Sequence, residues 1–460
     1  VTIPLYMYII TFFCVLFPFY HMFNAYLSSR KTPYYMKNPP SAEKGISILV
    51  PCYNEESIIQ TAIEGMLALD YSNYEVLFIN DGSSDLTMER LHEDLKLKPA
   101  AFAASGVLKF NQVKAFYQAA NTKIKVLDKV NGGKADALNA GISYAEHSII
   151  ITLDADSLLK PDSLKIINGA FEDKKVIAAG GMVHVLQGRN LAQPDQPVRL
   201  SKMKQIVRFQ TLEYIRGFFT YKASLAKSDA LSIISGAFGI FKKDVLLDLY
   251  GFRKTVGEDM DITLKVQQYR KKHRRRKVLF IPEAICYTEV PESYKDLFKQ
   301  RVRWQKAFTD CMMYYGKTLF PTVFKKKLSF FIVFDALCSG VLLSFFTLFF
   351  LVTQIFFFPI EHTYPALLFF LSGAAGSNLL YALISLKIST HYRNAFSNRD
   401  MGYLAWTILA DLLVYRFFTL FFTIYGTIAY FGKKDGWNKV ARTGKKYIVS
   451  ESDALQKADV

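Results

Sequence analysis

The chain has 460 residues, 51% of them hydrophobic and including 39 Phe and 27 Tyr, which is too long for one ordinary domain and mixes soluble with membrane-compatible stretches. Lys and Arg outnumber Asp and Glu by 57 to 40, a formal charge of +17; beside long apolar runs this favours anionic lipid or a phosphorylated substrate over nucleic acid. Cys14, Cys52, Cys286, Cys311 and Cys338 include no short-spaced pair and the seven histidines are dispersed, so neither a disulfide framework nor a zinc site is expected, and a reducing cytosol suits the chain.

The run Ile3 to Leu27 is apolar and exceeds the roughly 20 residues needed to cross a bilayer. Arg30, Lys31 and Lys37 follow it, which by the positive-inside rule puts its C-terminal end in the cytosol. A signal peptide is the alternative reading, but no small-residue cleavage site follows.

From Gly45 onward, short β-branched runs alternate with helical periodicity. Strands are predicted at Ile46 to Val50, Glu75 to Ile79, Ile124 to Leu127 and Ile149 to Leu153, each followed by a turn and a helical stretch. This alternation predicts an α/β, Rossmann-like domain with a mainly parallel sheet, whose ligands bind at the carboxyl ends of the strands.

The acidic runs fall at those ends. Asp81, within Asn80 to Asp85, reads either as a ligand-contacting carboxylate or as turn chemistry with a helix N-cap. Asp154 and Asp156 follow an apolar strand and suit a hard divalent ion bridging to phosphates; the bland alternative is capping of a helix beginning near Pro161 and Asp162. Between them, Asn131 to Asn139 is a glycine turn feeding a helix with Lys134 at its start. It can offer backbone N–H groups and a cation to phosphate, or be a flexible connection.

Val183 to Asp229 is basic and aromatic, containing Arg208, Phe209, Gln210, Glu213, Tyr214 and Arg216. Glu213 and Tyr214 could border an acceptor, with a helix packed on the sheet as the expected reading. Gly257 to Asp261, GEDMD, reads by itself as a capped helix start with acids favourable to the dipole. His273 to Lys277 is a basic run between helical and strand patterns, a solvated face; Arg270 to Arg274 spells RxxxR, but no DxSxxG element accompanies it and the match is treated as chance. Gln300, Arg303 and Trp304 are spaced to lie on adjoining turns of one helical face, which also suits an amphipathic helix on a membrane surface.

Three apolar blocks close the chain, Leu328 to Ile360, Tyr364 to Leu386 and Met401 to Phe431. One crossing each would leave the basic tail of Lys433, Lys434, Lys439, Arg442, Lys445 and Lys446 outside, against the charge rule. The last block carries Asp411 and Arg416, which must face protein or water; it reads as a re-entrant or paired segment, unless an interfacial stretch lies in the Leu328 block.

In order, PCYNEE at Pro51, NDGSSD at Asn80, GGKADALNAG at Gly132, DAD at Asp154, SGAFGIF at Ser235, GEDMD at Gly257 and QRVRW at Gln300 resemble processive family-2 glycosyltransferases, from about residue 45 to 315. The flanking apolar segments look like those of cellulose, hyaluronan and poly-β-1,6-N-acetylglucosamine synthases. The resemblance implies a GT-A fold flanked by transmembrane helices: 1–32 a membrane helix, 45–315 the cytosolic transferase domain ending in an interfacial QRVRW helix, 325–432 membrane or interfacial helices, and 433–460 a basic then polar tail.

By the same resemblance, Pro51, Tyr53, Glu55, Asp81, Lys134 and Asp154 bind the nucleotide-sugar, with Asp81 on the uracil. Asp154 and Asp156 hold Mg or Mn. Asp259, with Glu258, supplies the base, and Gln300, Arg303, Trp304, Ser235 and Gly236 face acceptor and diphosphate. Asn80 stands where many relatives have a second Asp. The implied partners are a UDP-sugar, preferentially UDP-N-acetylglucosamine, a growing glycan, membrane lipid, and accessory biosynthesis or export subunits, at the plasma (inner) membrane. Single-sugar transfer to a lipid, a UDP-glucose-using glucan synthase and a non-catalytic export scaffold are the competing expectations.

Overall fold

The structure, a computed structural model, describes residues 5–30, 42–105, 108–190, 196–273, 275–357 and 360–432. Lys31, Lys37, Arg274 and the basic tail from Lys433 onward lie outside the described residues. The chain divides into two compact units, one made of Thr32–Val198, Ile233–Pro291 and Lys439–Val460, the other of Val1–Lys31, Arg199–Ser232 and Glu292–Asn438.

The first unit is built on a ten-stranded sheet: β1 Ile46–Cys52, β2 Tyr74–Asn80, β3 Lys98–Pro99, β4 Val113–Gln118, β5 Ile124–Lys129, β6 Ile149–Leu153, β7 Ser157–Leu159, β8 Val176–Val185, β9 Phe238–Lys242 and β10 Lys277–Thr288, in the order β3-β4-β5-β2-β1-β6-β9-β8-β10-β7. β2 and β6 are buried along their whole length and β1 nearly so, which is why ISILV, YEVLFIN and IIITL read as continuous apolar runs rather than alternating ones. β5, β2, β1 and β6 pair in parallel, as the strand–helix alternation predicts.

The sheet as a whole is mixed, not mainly parallel. β9 runs antiparallel between β6 and β8, and β4 and β7 also pair antiparallel at the two sides. The alternation rule covered only the strands joined by short crossovers. β9 arrives after the excursion Arg199–Ser232 and enters the sheet from the opposite end.

The strand direction has a consequence for position. Leu153, the last residue of β6, pairs with Phe238, the first of β9, so the residues just before β9 meet the carboxyl end of β6. Cys52 pairs with Asn80 and Asn80 with Asp128, which brings the loops after β1, β2 and β5 to the same edge. Two of these loops are laced together: Asn54, at φ 56, receives the Ser84 N–H on its Oδ1 at 2.7 Å, and the Glu55 N–H donates to Thr87 Oγ1 at 2.7 Å.

The second unit is helical. Leu5–Ser29 is a helix of 25 residues, and two runs, Lys327–Thr353 of 27 residues and Asn398–Tyr430 of 33, are long and apolar enough to cross a membrane. The last run is helical from Met401 to Tyr430 without a break, passing through a π-helical turn at Asp411–Tyr415, so it is not two paired segments. Asp411 is buried and paired with Arg216 at 2.7 Å and Arg416 at 3.4 Å, which satisfies charges that hydrocarbon would not tolerate. The helix Gln205–Ile215 belongs to this unit. Leu212 packs with Ala382 and Ile408, so the expectation of a helix packed on the sheet is corrected; the apolar face that suggested a sheet contact is covered by other helices.

Candidate active site

At the carboxyl end of β2, Asp81 is buried with both carboxylate oxygens occupied. Lys129 Nζ donates to Oδ1 at 2.6 Å, the Gly132 N–H to Oδ1 at 3.0 Å and the Gly133 N–H to Oδ2 at 2.7 Å. Burial raises the Asp81 pKa above the ordinary value, while Lys129 and the two glycine amides oppose it. Asp81 is therefore not the cap of the next helix; Asp85 accepts the Thr87 N–H at 3.0 Å there. The glycine turn is not a flexible connection either. Gly133 sits at φ 90, a conformation that favours glycine, and its N–H and that of Gly132 serve Asp81 rather than standing open to phosphate.

Lys129, at the end of β5, is the residue that sequence reading missed. It is 0% exposed and bridges Asp81 at 2.6 Å and Asp136 at 2.5 Å, while also donating to Val130 O at 2.7 Å. The signal available was a lysine after Asp128 at the tip of an apolar strand, which alone is ordinary. Lys129→Met leaves two carboxylates facing each other without a cation; it is expected to destabilise the protein by about 3–5 kcal/mol, read as a lowered denaturation midpoint. Asn80 explains itself similarly. Its amide donates to Asp128 Oδ1 at 2.7 Å, where an Asp would set carboxylate against carboxylate.

Lys134 opens the next helix and is buried between acids, with Nζ 2.7 Å from Asp154 Oδ1 and 3.1 Å from Glu258 Oε1. Burial works against its charge, but Asp154 and Glu258 outweigh it and hold its pKa above the ordinary lysine value. Glu258 is raised above its usual 4.5 chiefly by burial and by neighbouring Asp259, with Lys134 pulling the other way. Glu258, Asp259 and Asp261 lie in the first turn of the helix Glu258–Lys272, as the dipole reading expects, but no side chain caps that start. The side chains nevertheless turn to the site: Asp259 Oδ2 accepts the Gly236 N–H at 3.1 Å.

Gly236 is needed for that approach, because a Cβ there would stand 3.0 Å from Lys134 Nζ and 3.3 Å from the Asp259 Cβ. Ser235 and Gly236 line a small recess together with Glu258, Asp259 and Thr152. Asp156 accepts from Ser157 Oγ at 3.2 Å and Thr288 Oγ1 at 3.3 Å. The strand β7 intervenes between Asp156 and the helix Ser163–Ala170, whose first residues take no cap from either acid; helix capping does not account for the DAD run.

The structure thus brings Asp81, Lys134, Asp154, Asp156, Ser235, Gly236, Glu258 and Asp259 to one edge of one unit. Pro51 is the next-to-last residue of β1, in register with Ile79, Tyr53 is 46% exposed, and Glu55 is tied to Thr87 through its backbone. Gln300, Arg303 and Trp304 belong to the helical unit, on the helix Tyr294–Leu319, where Gln300 is buried and Trp304 is 42% exposed.

Comparison with known proteins bears on this arrangement. Residues 42–307 match the family model described as glycosyltransferase like family 2. The poly-β-1,6-N-acetyl-D-glucosamine synthase of Staphylococcus epidermidis is 30% identical over 308 residues, 66% of this chain and 64% of the relative. That of Staphylococcus aureus is 30% identical over 292 residues, 63% of this chain and 60% of the relative. The alignments therefore span less than two thirds of these relatives. A solved mannosyltransferase of Pyrobaculum calidifontis, in complex with GDP-Man and Mn2+, aligns with 91% of this chain and 95% of its own at 17% identity and a TM-score of 0.48. The sheet-bearing unit has the GT-A fold that the motif order implies, with a mixed sheet. A family match covering more than half of the chain, and carrying the acidic edge just described, makes this protein a member of the family-2 glycosyltransferases.

Proposed function

We propose that the protein is a membrane-held, processive, inverting glycosyltransferase that joins UDP-N-acetylglucosamine into a β-linked exopolysaccharide and extrudes it. The observation that carries the reading is the gathering of Asp81, Lys134, Asp154, Asp156, Glu258 and Asp259 at one edge of the sheet. The choice of donor and product follows the names of the relatives. Under this reading 1–32 and 325–432 hold the chain at the plasma membrane, 45–315 works on its cytosolic side, and any accessory subunits serve biosynthesis or export.

Asp154 and Asp156 supply hard carboxylate oxygens, the donor type that Mg or Mn takes beside phosphate and water. Among the described residues no group of three His, Cys, Asp or Glu side chains is placed to hold a metal ion. Such an ion supplies charge neutralisation for a departing diphosphate. Lys134 adds a second positive charge, fixed by its pairs to Asp154 and Glu258, and Asp81 reads the uracil from its clamped carboxylate. Pro51, Tyr53 and Glu55 border the base and ribose.

Asp259 takes the proton of the acceptor hydroxyl, held in place by the Gly236 N–H, while Glu258 neutralises Lys134. The hydroxyl oxygen attacks the anomeric carbon from the face opposite UDP, so an α-linked donor yields a β-linked product. Ser235, Gly236, Gln300, Arg303 and Trp304 are assigned to acceptor and diphosphate.

A donor screen of the purified protein tests the whole: UDP release with UDP-N-acetylglucosamine, UDP-glucose and other sugars, with product length measured beside it. Long glycosidase-sensitive chains from UDP-N-acetylglucosamine are expected. A labelled monosaccharide on lipid without polymer would sink processivity, and preference for UDP-glucose would sink the donor. A pH profile adds a check on Glu258. It ionises above the usual 4.5, so lowering the pH protonates it early and strips Lys134 of one acceptor. The acid limb of turnover is expected at higher pH than an ordinary glutamate gives, and Glu258→Gln should remove that limb.

A further inference from the structure

Arg301 lies inside QRVRW but at none of the positions matched to the motif. Its side chain is 7% exposed, and three groups converge on it. Nη2 donates to Glu213 Oε2 at 2.8 Å, Nη1 donates to Gln300 Oε1 at 2.5 Å, and the guanidinium carbon stands 4.0 Å from the centre of the Trp304 ring. Glu213 is held in turn by the Tyr415 hydroxyl, which donates to the same Oε2 at 3.0 Å, and Tyr415 stacks on Phe209 at 4.7 Å. All of these belong to the helical unit.

The geometry uses properties that only arginine has. A planar fork can bond a carboxylate and an amide in its plane while presenting its face to an indole; a lysine ammonium offers a point charge and no face. Glu213 comes from the helix Gln205–Ile215 and Tyr415 from the last apolar run, so the guanidinium is fixed from outside its own helix. It can then hold Gln300 one residue before it and Trp304 three residues after it in single orientations, while Trp304 stays 42% exposed. A ring fixed before binding loses less entropy when a sugar stacks on it.

We infer that Arg301 is a positioning residue for the acceptor. Locked by Glu213, it sets Gln300 and Trp304 in the orientation that grips the growing glycan, and so determines how long a chain is retained between transfers. This rests on the reading of Trp304 as an acceptor platform. The residues assigned to the nucleotide-sugar, Pro51, Tyr53, Glu55, Asp81, Lys134 and Asp154, belong to the sheet unit, so a role of Arg301 on the acceptor side alone leaves UDP affinity nearly unchanged.

The experiment uses the full-length protein in lipid nanodiscs with UDP-N-acetylglucosamine, and compares Arg301→Lys, Glu213→Gln and Trp304→Ala for product length, oligosaccharide KM and UDP affinity. Arg301→Lys is expected to shorten products, raise the oligosaccharide KM about tenfold and leave UDP affinity within about twofold. Glu213→Gln, nearly the same shape without the charge, should do the same more weakly. In a Trp406→Phe, Trp437→Phe background, acrylamide quenching of Trp304 should increase in both variants at an unchanged thermal midpoint, which separates loss of positioning from loss of stability.

If Trp304→Ala shortens products but Arg301→Lys and Glu213→Gln do not, the positioning role is overturned. A full-length product from Trp304→Ala instead removes the platform reading itself and the inference with it. Parallel loss of UDP affinity and thermal stability in both charge variants would make Arg301 a structural pin only, and would also overturn the proposal.

Discussion

Asp154→Asn is expected to reduce sugar transfer at least about 10³-fold, the scale on which losing a principal electrostatic group of an active site is felt. The substitution removes charge with almost no change of shape, so the fold should persist. Two effects combine. Lys134 loses the nearer of its two carboxylate partners, 2.7 Å away, and the edge loses one of the two carboxylates proposed to hold a divalent ion. The measurement is UDP release against Mn2+ concentration, together with Mn2+ affinity followed by electron paramagnetic resonance. Unchanged Mn2+ affinity with near-normal turnover across the Mn2+ titration would show that Asp154 is not a metal ligand. Asp156→Asn should follow it more mildly, because Asp156 is already engaged by two hydroxyls.

Asp259→Asn is expected to lower turnover by about 10²–10⁴-fold while UDP affinity stays nearly unchanged, the signature of a lost general base. An amide retains an oxygen for the Gly236 N–H but cannot take the hydroxyl proton. The contrast between the two variants is the informative part. Asp154→Asn should impair ion and donor binding as well as turnover, whereas Asp259→Asn should impair turnover alone. Single-turnover rates and UDP titration separate them, and full UDP release by Asp259→Asn would reassign the base, with Glu258 the nearest alternative.

Much of the catalytic edge was legible because it obeys local rules. Strands β1, β2, β5 and β6 are apolar runs ended by polar turns, and parallel pairing sends all their carboxyl ends one way, so Asp81, Lys134 and Asp154 had to share an edge once the strand–helix alternation was recognised. Ser235 and Gly236 were identified only by motif resemblance. They reach the edge because β9 runs antiparallel, a direction that no local pattern encodes. Lys129 and Arg301 were missed for a related reason. A basic residue at a strand tip or on a helix is usually solvated, and its partners, Asp81 and Asp136 or Glu213 and Trp304, become partners only through packing.

The sequence by itself determined the alternation of strand and helix, the order of the motifs, the family, and the long apolar runs, because each depends on residue type and short-range spacing. Tertiary structure alone decided the mixed sheet, the use of the glycine-turn amides by Asp81, the membership of Gln205–Ile215 in the helical unit, and the buried pairs of Lys129, Arg301 and Asp411. These depend on which distant segments share a low-dielectric interior. There an unpaired charge is too costly to leave alone, so each one finds a partner far away in the chain.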